Sequence, residues 1–300
     1  MDLETLLLSL KTITPVFSLI LLGVFLRVFH VLHHEDASLL SRMVFRLFLP
    51  ILLFRTLATT TLPSTPPVLL VLVILLPLLG VYGAVWGVTK GMKWNHPGFL
   101  ASASTWSNVA ILGYALGEAF DGSAGLARAA MFSAFVLPLH NVMAFWGMKR
   151  ADEPHHKHRI FWNPLMVAIV AGLLFSLLPL SLSPPITVLL NQVGRASLPL
   201  ALIAIGASLR FHRSSSWYLP LGVSFVKLVL LPLVAYVFGK RLGITPSWLM
   251  TTVIGFACPT AISFFVVSEK VGFPPSQGAM IVSFTTLLSP VSIGIMMTLL

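Results

Sequence analysis

The sequence predicts an all-α polytopic membrane protein, ten transmembrane helices in two inverted five-helix repeats, and three observations carry that expectation. Composition is the first: 57% of the residues are hydrophobic and 9% are charged, with a mean hydropathy of +0.94. Soluble domains carry about 25% charge, so the chain belongs in a bilayer. Spacing is the second: the stretches between polar clusters run about 18–24 residues, and a hydrocarbon core of about 30 Å takes about 20 apolar residues per helix. Self-similarity is the third. Shifted by 149 residues, the sequence places Pro15 on Pro164, Gly23 on Gly172, Arg46–Pro50 on Arg195–Pro199, Ala58 on Ala207, Pro97 on Pro246 and Phe135 on Phe284.

Taken in order, the spans are expected at 12–29, 37–57, 68–89, 97–120, 126–148, 163–180, 187–209, 217–239, 246–269 and 274–299. Residues 1–148 form the first repeat, 149–162 a cytoplasmic linker and 163–300 the second repeat. Five is odd, so the second repeat enters the membrane from the opposite side. Inverted repeats are the architecture of many secondary transporters, with the site near the midplane where broken helices meet. The net charge of +10 reads as topology and not as a nucleic-acid surface. Alternation gathers Arg27, Lys90, Lys93, Lys149, Arg150, Lys157, Arg159, Arg210, Arg213 and Lys270 on one face and leaves Lys11, Arg128, Lys240 and Arg241 on the other. Loops rich in Lys and Arg stay in the cytoplasm, which puts both termini outside, in a plasma or inner membrane. The start, MDLETLLLSL, is acidic where a cleavable signal would be basic. A single cysteine, Cys258, excludes a disulfide framework within the chain.

The fourth and ninth spans carry the candidate site. Ser104, Thr105, Ser107 and Asn108 make the centre of one polar; Pro259, Thr260 and Ser263 do so in the other. An interior proline costs a helix about 3 kcal/mol or more, and non-helical backbone at membrane depth needs protein or a water-filled cavity to satisfy it. With two extra residues allowed, Asn108 aligns with Pro259 and Glu118 with Glu269. Asn108 is expected to cap a new half-helix, and Pro259 to occupy the first position of another. The spans run antiparallel, so two half-helix N-termini converge, each with about half a positive charge and free N–H donors. That is an anion site made of backbone. The competing reading is a kinked packing helix.

These strings resemble the auxin efflux carrier family, within the bile acid/sodium symporter-like superfamily, over nearly the whole chain. PVFSLILLGVFLR and SRMVFRLFLPILLFRTLA look like its first two helices; NPLMVAIVAGLLFSL, LPLALIAIGASL, KLVLLPLVAYV and CPTAISFFVVSEKVG look like its second half. The resemblance implies a scaffold part (spans 1, 2, 6 and 7), a mobile transport part (spans 3–5 and 8–10) and crossed, broken spans 4 and 9 as the substrate site. It also implies an elevator-type movement, a homodimer through the scaffold helices, and organic anions such as auxin, malate or malonate as substrates. The family's first crossover usually reads Gly-Asn-x-Gly-x-x-Gly-x-Pro; here Ser107-Asn108-Val109-Ala110-Ile111-Leu112-Gly113-Tyr114-Ala115 lacks two of the glycines and the proline, and Ser263 replaces an asparagine at the second. The architecture carries over on these motifs; the substrate does not.

Substrate contacts are expected from Ser107, Asn108, Val109, Cys258, Pro259, Thr260 and Ser263 at the breaks, with Asn141 of the fifth span and Lys227 of the eighth. Lys227 lies mid-span, where an uncompensated charge costs about 2.5–3.5 kcal/mol on insertion scales; it reads either as a ligand of the anion or of a coupling group, or as a lysine that snorkels or pairs with helix carbonyls. Arg46 and Arg195, equivalent in the two halves, read as structural. Glu118 and Glu269 are candidates for gating or coupling, against the plainer reading of solvated helix ends. No other carboxylate falls within a span, so a midplane acid for proton or sodium coupling is missing. An inside-negative potential alone drives anion efflux with about 2.3 kcal/mol per charge per 100 mV. His155, His156 and His158 read as a solvated loop and not a metal site, and Gly83, Gly87 and Gly91 have the spacing of close helix packing. No G-x-S-x-G, H-E-x-x-H or P-loop occurs, so no enzyme, cofactor or metal is expected. The reading is a secondary carrier of small organic anions, carboxylates foremost. The alternatives are a sodium- or proton-coupled symporter of the bile-acid type, a channel, a membrane enzyme, or a non-transporting receptor.

Overall fold

The computed structural model describes residues 3–59, 67–147, 164–179, 181–209, 217–270, 273 and 275–300. The three linker histidines lie outside the described residues, as do Lys149, Arg150, Lys157, Arg159, Arg210 and Arg213. The described chain is helical, with no strand and one isolated β-bridge. Its elements are α1 (Leu3–Val28), α2 (His34–Met43), α3 (Leu49–Thr59), α4 (Pro67–Gly91), α5 (Pro97–Thr105), α6 (Tyr114–Gly147) and α7 (Pro164–Ser176). There follow α8 (Pro184–Ser208), α9 (Tyr218–Phe225), α10 (Leu231–Arg241), α11 (Pro246–Ala257), α12 (Ile262–Lys270) and α13 (Pro275–Leu299). π-Turns at Val44–Phe48, Val109–Gly113 and Val226–Leu230 join α2 to α3, lead into α6 and join α9 to α10.

Among the described residues, seven stretches are long and apolar enough to cross a membrane: Lys11–Val28, Glu35–Thr59, Val68–Gly91, Val109–Met143, Pro184–Ser208, Tyr218–Arg241 and Ser276–Leu299. Hydropathy reads ten because a window of about 20 residues runs straight across a break. α5, α11 and α12 have only 9, 12 and 9 residues, and α7 only 13. α6 hides a further division. Asp121 and Gly122 leave helical geometry, Gly122 with φ +52°, a value that glycine adopts without a Cβ clash. The chain doubles back there so tightly that a Cβ on Gly125 would sit 2.0 Å from the Gly117 carbonyl oxygen.

Two of the π-turns have a cause in the sequence. Pro50 and Pro232 each lack an N–H and crowd the carbonyl four residues back, so one extra residue is taken into the turn before each. The carbonyl of Leu228, left without its helical donor by Pro232, accepts instead from the Ser292 hydroxyl of α13.

Packing concentrates in two groups, which meet where α1 lies against α13 and α6 and where α3 lies against α6. In one, α1 runs along α8 and α3 along α7. Glycine permits the first contact: a Cβ on Gly23 would lie 2.1 Å from the Ile203 oxygen, and one on Gly206 would lie 1.9 Å from the Ile20 oxygen. In the other group α5 packs on α4 and α6, α11 on α10, α6 and α13, and α13 on α9 and α12. α5 is buried from Gly98 to Thr105 and α11 from Thr252 to Ala257, so the short elements are interior. Large apolar side chains such as Phe25, Leu174, Leu189, Phe225, Leu287 and Val291 stay exposed, as hydrocarbon contact requires. The expectation that Gly83, Gly87 and Gly91 mediate close packing is not met within the chain. Among the described residues a Cβ on any of the three meets open space, because no described helix lies against that face of α4.

Candidate functional site

α5 ends at Thr105, whose hydroxyl turns back to the Ala101 carbonyl at 2.8 Å, and Trp106 that follows is extended (φ −72°, ψ 99°). α11 ends at Ala257. Cys258 is extended (φ −59°, ψ 143°), the conformation that a following proline imposes. The two gaps cross and pair as a short antiparallel bridge between Ser107 and Thr260. The Asn108 amide donates to the Pro259 oxygen at 2.8 Å, and the Ala261 amide to the Trp106 oxygen at 3.3 Å. Thr260 completes the crossing: its hydroxyl donates to the Ala103 oxygen at 3.0 Å, and its amide to Thr285 Oγ1 at 3.1 Å. Backbone groups that leave the helices thus find partners in each other, as burial demands.

Two expectations are corrected here. Asn108 stands at the N-cap position, but its side chain makes no capping hydrogen bond; its carbonyl accepts from Leu112 and Gly113 at 3.1 and 3.3 Å. The helix restarts as a π-turn, so the cap geometry of an α-helix is absent. Pro259 does not open a half-helix. It lies in the extended gap, three residues ahead of Ile262, and serves through its carbonyl.

Each half-helix that ends at the crossing presents carbonyls with no helical donor, and another helix supplies one. At α5, His140 Nε2 lies 3.0 Å from the Thr105 oxygen. A carbonyl only accepts, so Nε2 carries the proton, and Nδ1 has no partner among the described residues. At α11, Lys227 Nζ donates to the Phe256 oxygen and to Ser107 Oγ, the latter at 2.9 Å. Trp106 locks the first break sideways. Its ring stacks on His140 (5.3 Å, 24°) and meets Phe264 edge-on (5.9 Å), while Nε1 donates to Ser263 Oγ at 3.1 Å.

A cavity of about 580 Å³ opens beside the crossing. One wall comes from α1, α2, α7 and α8; the other from the first break, α6, α12 and α13. Trp106, Ser107, Asn108, Ala110, Ile111, His140, Asn141, Ile262 and Ser263 line it beside the crossing, and Arg27, Arg42 and Arg46 line the wall built from α1, α2 and the turn into α3. Arg27 and Arg42 hold the Ala207 oxygen (2.7 Å) and Ser38 Oγ (2.9 Å), and among the described residues no carboxylate pairs with any of the three. A second cavity, about 270 Å³, lies between α6 and α11, with Val109, Gly113, Arg128 and Thr251 in its lining.

The model of the family described as membrane transport protein matches the chain twice, over residues 8–157 and 150–297. The chain belongs to that family. A protein described as an uncharacterized transporter, from Methanothermobacter thermautotrophicus, is 30% identical over 303 residues, covering 95% of this chain and 96% of the relative. The family is the one that the strings in α1–α3, α7, α8, α10 and α12 resemble, the auxin efflux carriers, and this multi-pass member is a transporter.

Of the residues expected to touch substrate, the transporter brings Ser107, Asn108, Asn141 and Ser263 to the large cavity. Val109 lines the smaller one. Cys258, Pro259, Thr260 and Lys227 line neither and build the crossing itself. Glu118 and Glu269 are exposed and border neither cavity. Arg46 and Arg195 part company: Arg46 lines the large cavity and Arg195 does not. Sequence reasoning missed Trp106 and Arg42. A bulky aromatic inside a polar break was the available signal for the first; Arg42, four residues before Arg46 and so on the same helical face, was the signal for the second.

Proposed function

We propose that this transporter is a secondary carrier of small organic anions, carboxylates foremost, that binds its substrate at the crossing between the two broken helices. The observation that carries the reading is the cavity of about 580 Å³ that ends on the first turns of two half-helices, at Ala110, Ile111, Ile262 and Ser263. First-turn amides and the dipole favour a negative group there, and three guanidiniums with no carboxylate partner among the described residues focus anions towards it. Asn108, Asn141, Ser107 and Ser263 supply the neutral hydrogen bonds. His140 Nδ1, an acceptor with no partner among the described residues, suits a substrate that carries a hydroxyl or N–H beside its carboxylate.

The architecture is ten spans in two inverted repeats. The family model's two matches, one per half, and the pairing of equivalent breaks support it. The cavity opens inward and both termini lie outside; the Lys/Arg excess that includes Arg27, Lys90 and Lys93 supports a cytoplasmic position for that face. Movement is of the elevator type. α1–α3, α7 and α8 stay as scaffold, and the group that holds the crossing slides past them; the position of the cavity between the groups supports this.

The test is a thermal-shift panel of small mono- and dicarboxylates on the purified protein, followed by counterflow in proteoliposomes with any that bind. At least one carboxylate raises the melting temperature and exchanges across the membrane. Asn108→Ala weakens its binding about tenfold, one hydrogen bond's worth of affinity, and leaves the unliganded melting temperature unchanged. A protein that binds no carboxylate and supports no counterflow sinks the reading.

A further inference from the structure

Lys227 is fully buried, borders neither cavity, and has no carboxylate in ion-pair reach among the described residues. A bare charge in that position is costly, and the crossing shows what offsets the cost. Nζ donates to Ser107 Oγ at 2.9 Å and to the Phe256 oxygen. The first acceptor belongs to one break. The second is a terminal carbonyl of α11, the negative pole of the half-helix that leads into the other. Hydroxyls and half-helix terminal carbonyls at a break are the oxygens with which transporters hold a monovalent metal cation.

We propose that Lys227 is a tethered cation. Its ammonium occupies the place an alkali ion would take at a broken-helix junction, ties the first gap to the end of α11, and makes the junction independent of sodium and potassium. The π-turn Val226–Leu230 is part of the device. One residue beyond α-helical register turns the helix face by about 100°, and it is from this turn that Lys227 reaches two oxygens of the crossing. Lys227 is therefore a positioning residue and not a substrate ligand, and its positive charge, paired with no carboxylate among the described residues, also biases the neighbouring cavity towards anions. The consequence for transport, that no alkali ion is needed, rests on the carrier reading; the geometry does not.

Cys258, the sole cysteine, is buried at the same junction, so its labelling by N-ethylmaleimide reports opening of the crossing without any known substrate. In purified wild-type protein, exchange of sodium and potassium salts for N-methyl-D-glucamine leaves the labelling rate unchanged. Lys227→Ala, which vacates the ammonium's place, is labelled about tenfold faster in the glucamine buffer, as a junction of lower local stability is. Ammonium, methylammonium or sodium slows it again. Lys227→Met fills the space without charge, is labelled faster than wild type, and responds to none of the cations. Wild-type labelling that depends on alkali ions overturns the proposal, as does a Lys227→Ala variant indistinguishable from wild type or indifferent to every cation. Should the alanine variant fail to fold, Lys227→Met decides: fast labelling supports the tether, and labelling at the wild-type rate overturns it. Failure to find a transported anion sinks the carrier reading and leaves this readout standing, whereas alkali-dependent labelling sinks the tether alone.

Discussion

The break after α5 and the break after α11 open similar gaps, Trp106–Asn108 in the first and Cys258–Ala261 in the second, yet only the second contains a proline. The first stays open on other means. Its backbone is bonded to the second gap on both sides, Trp106 is wedged between His140 and Phe264, and the helix re-forms through a π-turn. The ends are closed differently as well, by a histidine proton at α5 and by an ammonium at α11. The difference teaches that a proline starts a break but pairing keeps it. Each gap is the other's hydrogen-bonding partner, so neither is stable without the crossing.

Substitutions that separate the two closures test this. The largest loss is expected from Lys227→Met, which leaves the Phe256 oxygen without a charged donor; such a bond contributes about 1.5–3 kcal/mol, read as a fall in the thermal unfolding midpoint. His140→Phe keeps the stack on Trp106 and removes a neutral donor, so it costs less, about 1 kcal/mol. A larger loss from His140→Phe than from Lys227→Met would break the distinction between a charged and a neutral closure. Thr260→Val removes the bond to the Ala103 oxygen but keeps shape and the amide bond to Thr285, and it too costs about 1 kcal/mol. Its effect should nearly vanish in a background where Ser107–Thr260 pairing is already lost, because coupled sites are not additive. The smallest effect is expected from Pro259→Ala, about 0.4–1 kcal/mol through the freer unfolded chain, with Cys258 still protected from N-ethylmaleimide. Loss of that protection would show that the proline, and not the pairing, holds the second gap.

Much of the site's position was legible beforehand. Ser107–Asn108 and Pro259–Thr260 mark both gaps because polar residues and proline in the middle of an apolar span have no helical use. The local forms were not legible. Asn108 and Pro259 suit capping positions by residue type, but type does not say that a π-turn intervenes at one gap or that the other continues extended to Ala261. Nor did Lys227 declare its acceptors. An ammonium looks the same in sequence whether it meets an anion or a carbonyl, and here Ser107, 120 residues away, and Phe256, 29 away, answer the question.

Hydropathy, charge and the half-length offset by themselves determined that this chain is helical, lies in a bilayer and is interrupted twice, because each of these follows from what water and lipid do to a segment taken alone. Which gap bonds to which, where the arginines meet a cavity, and whether a buried charge faces ligand or backbone were decided only by the tertiary structure. The reason is that a hydrogen bond or a cavity wall requires two segments, and nothing in either one names the other.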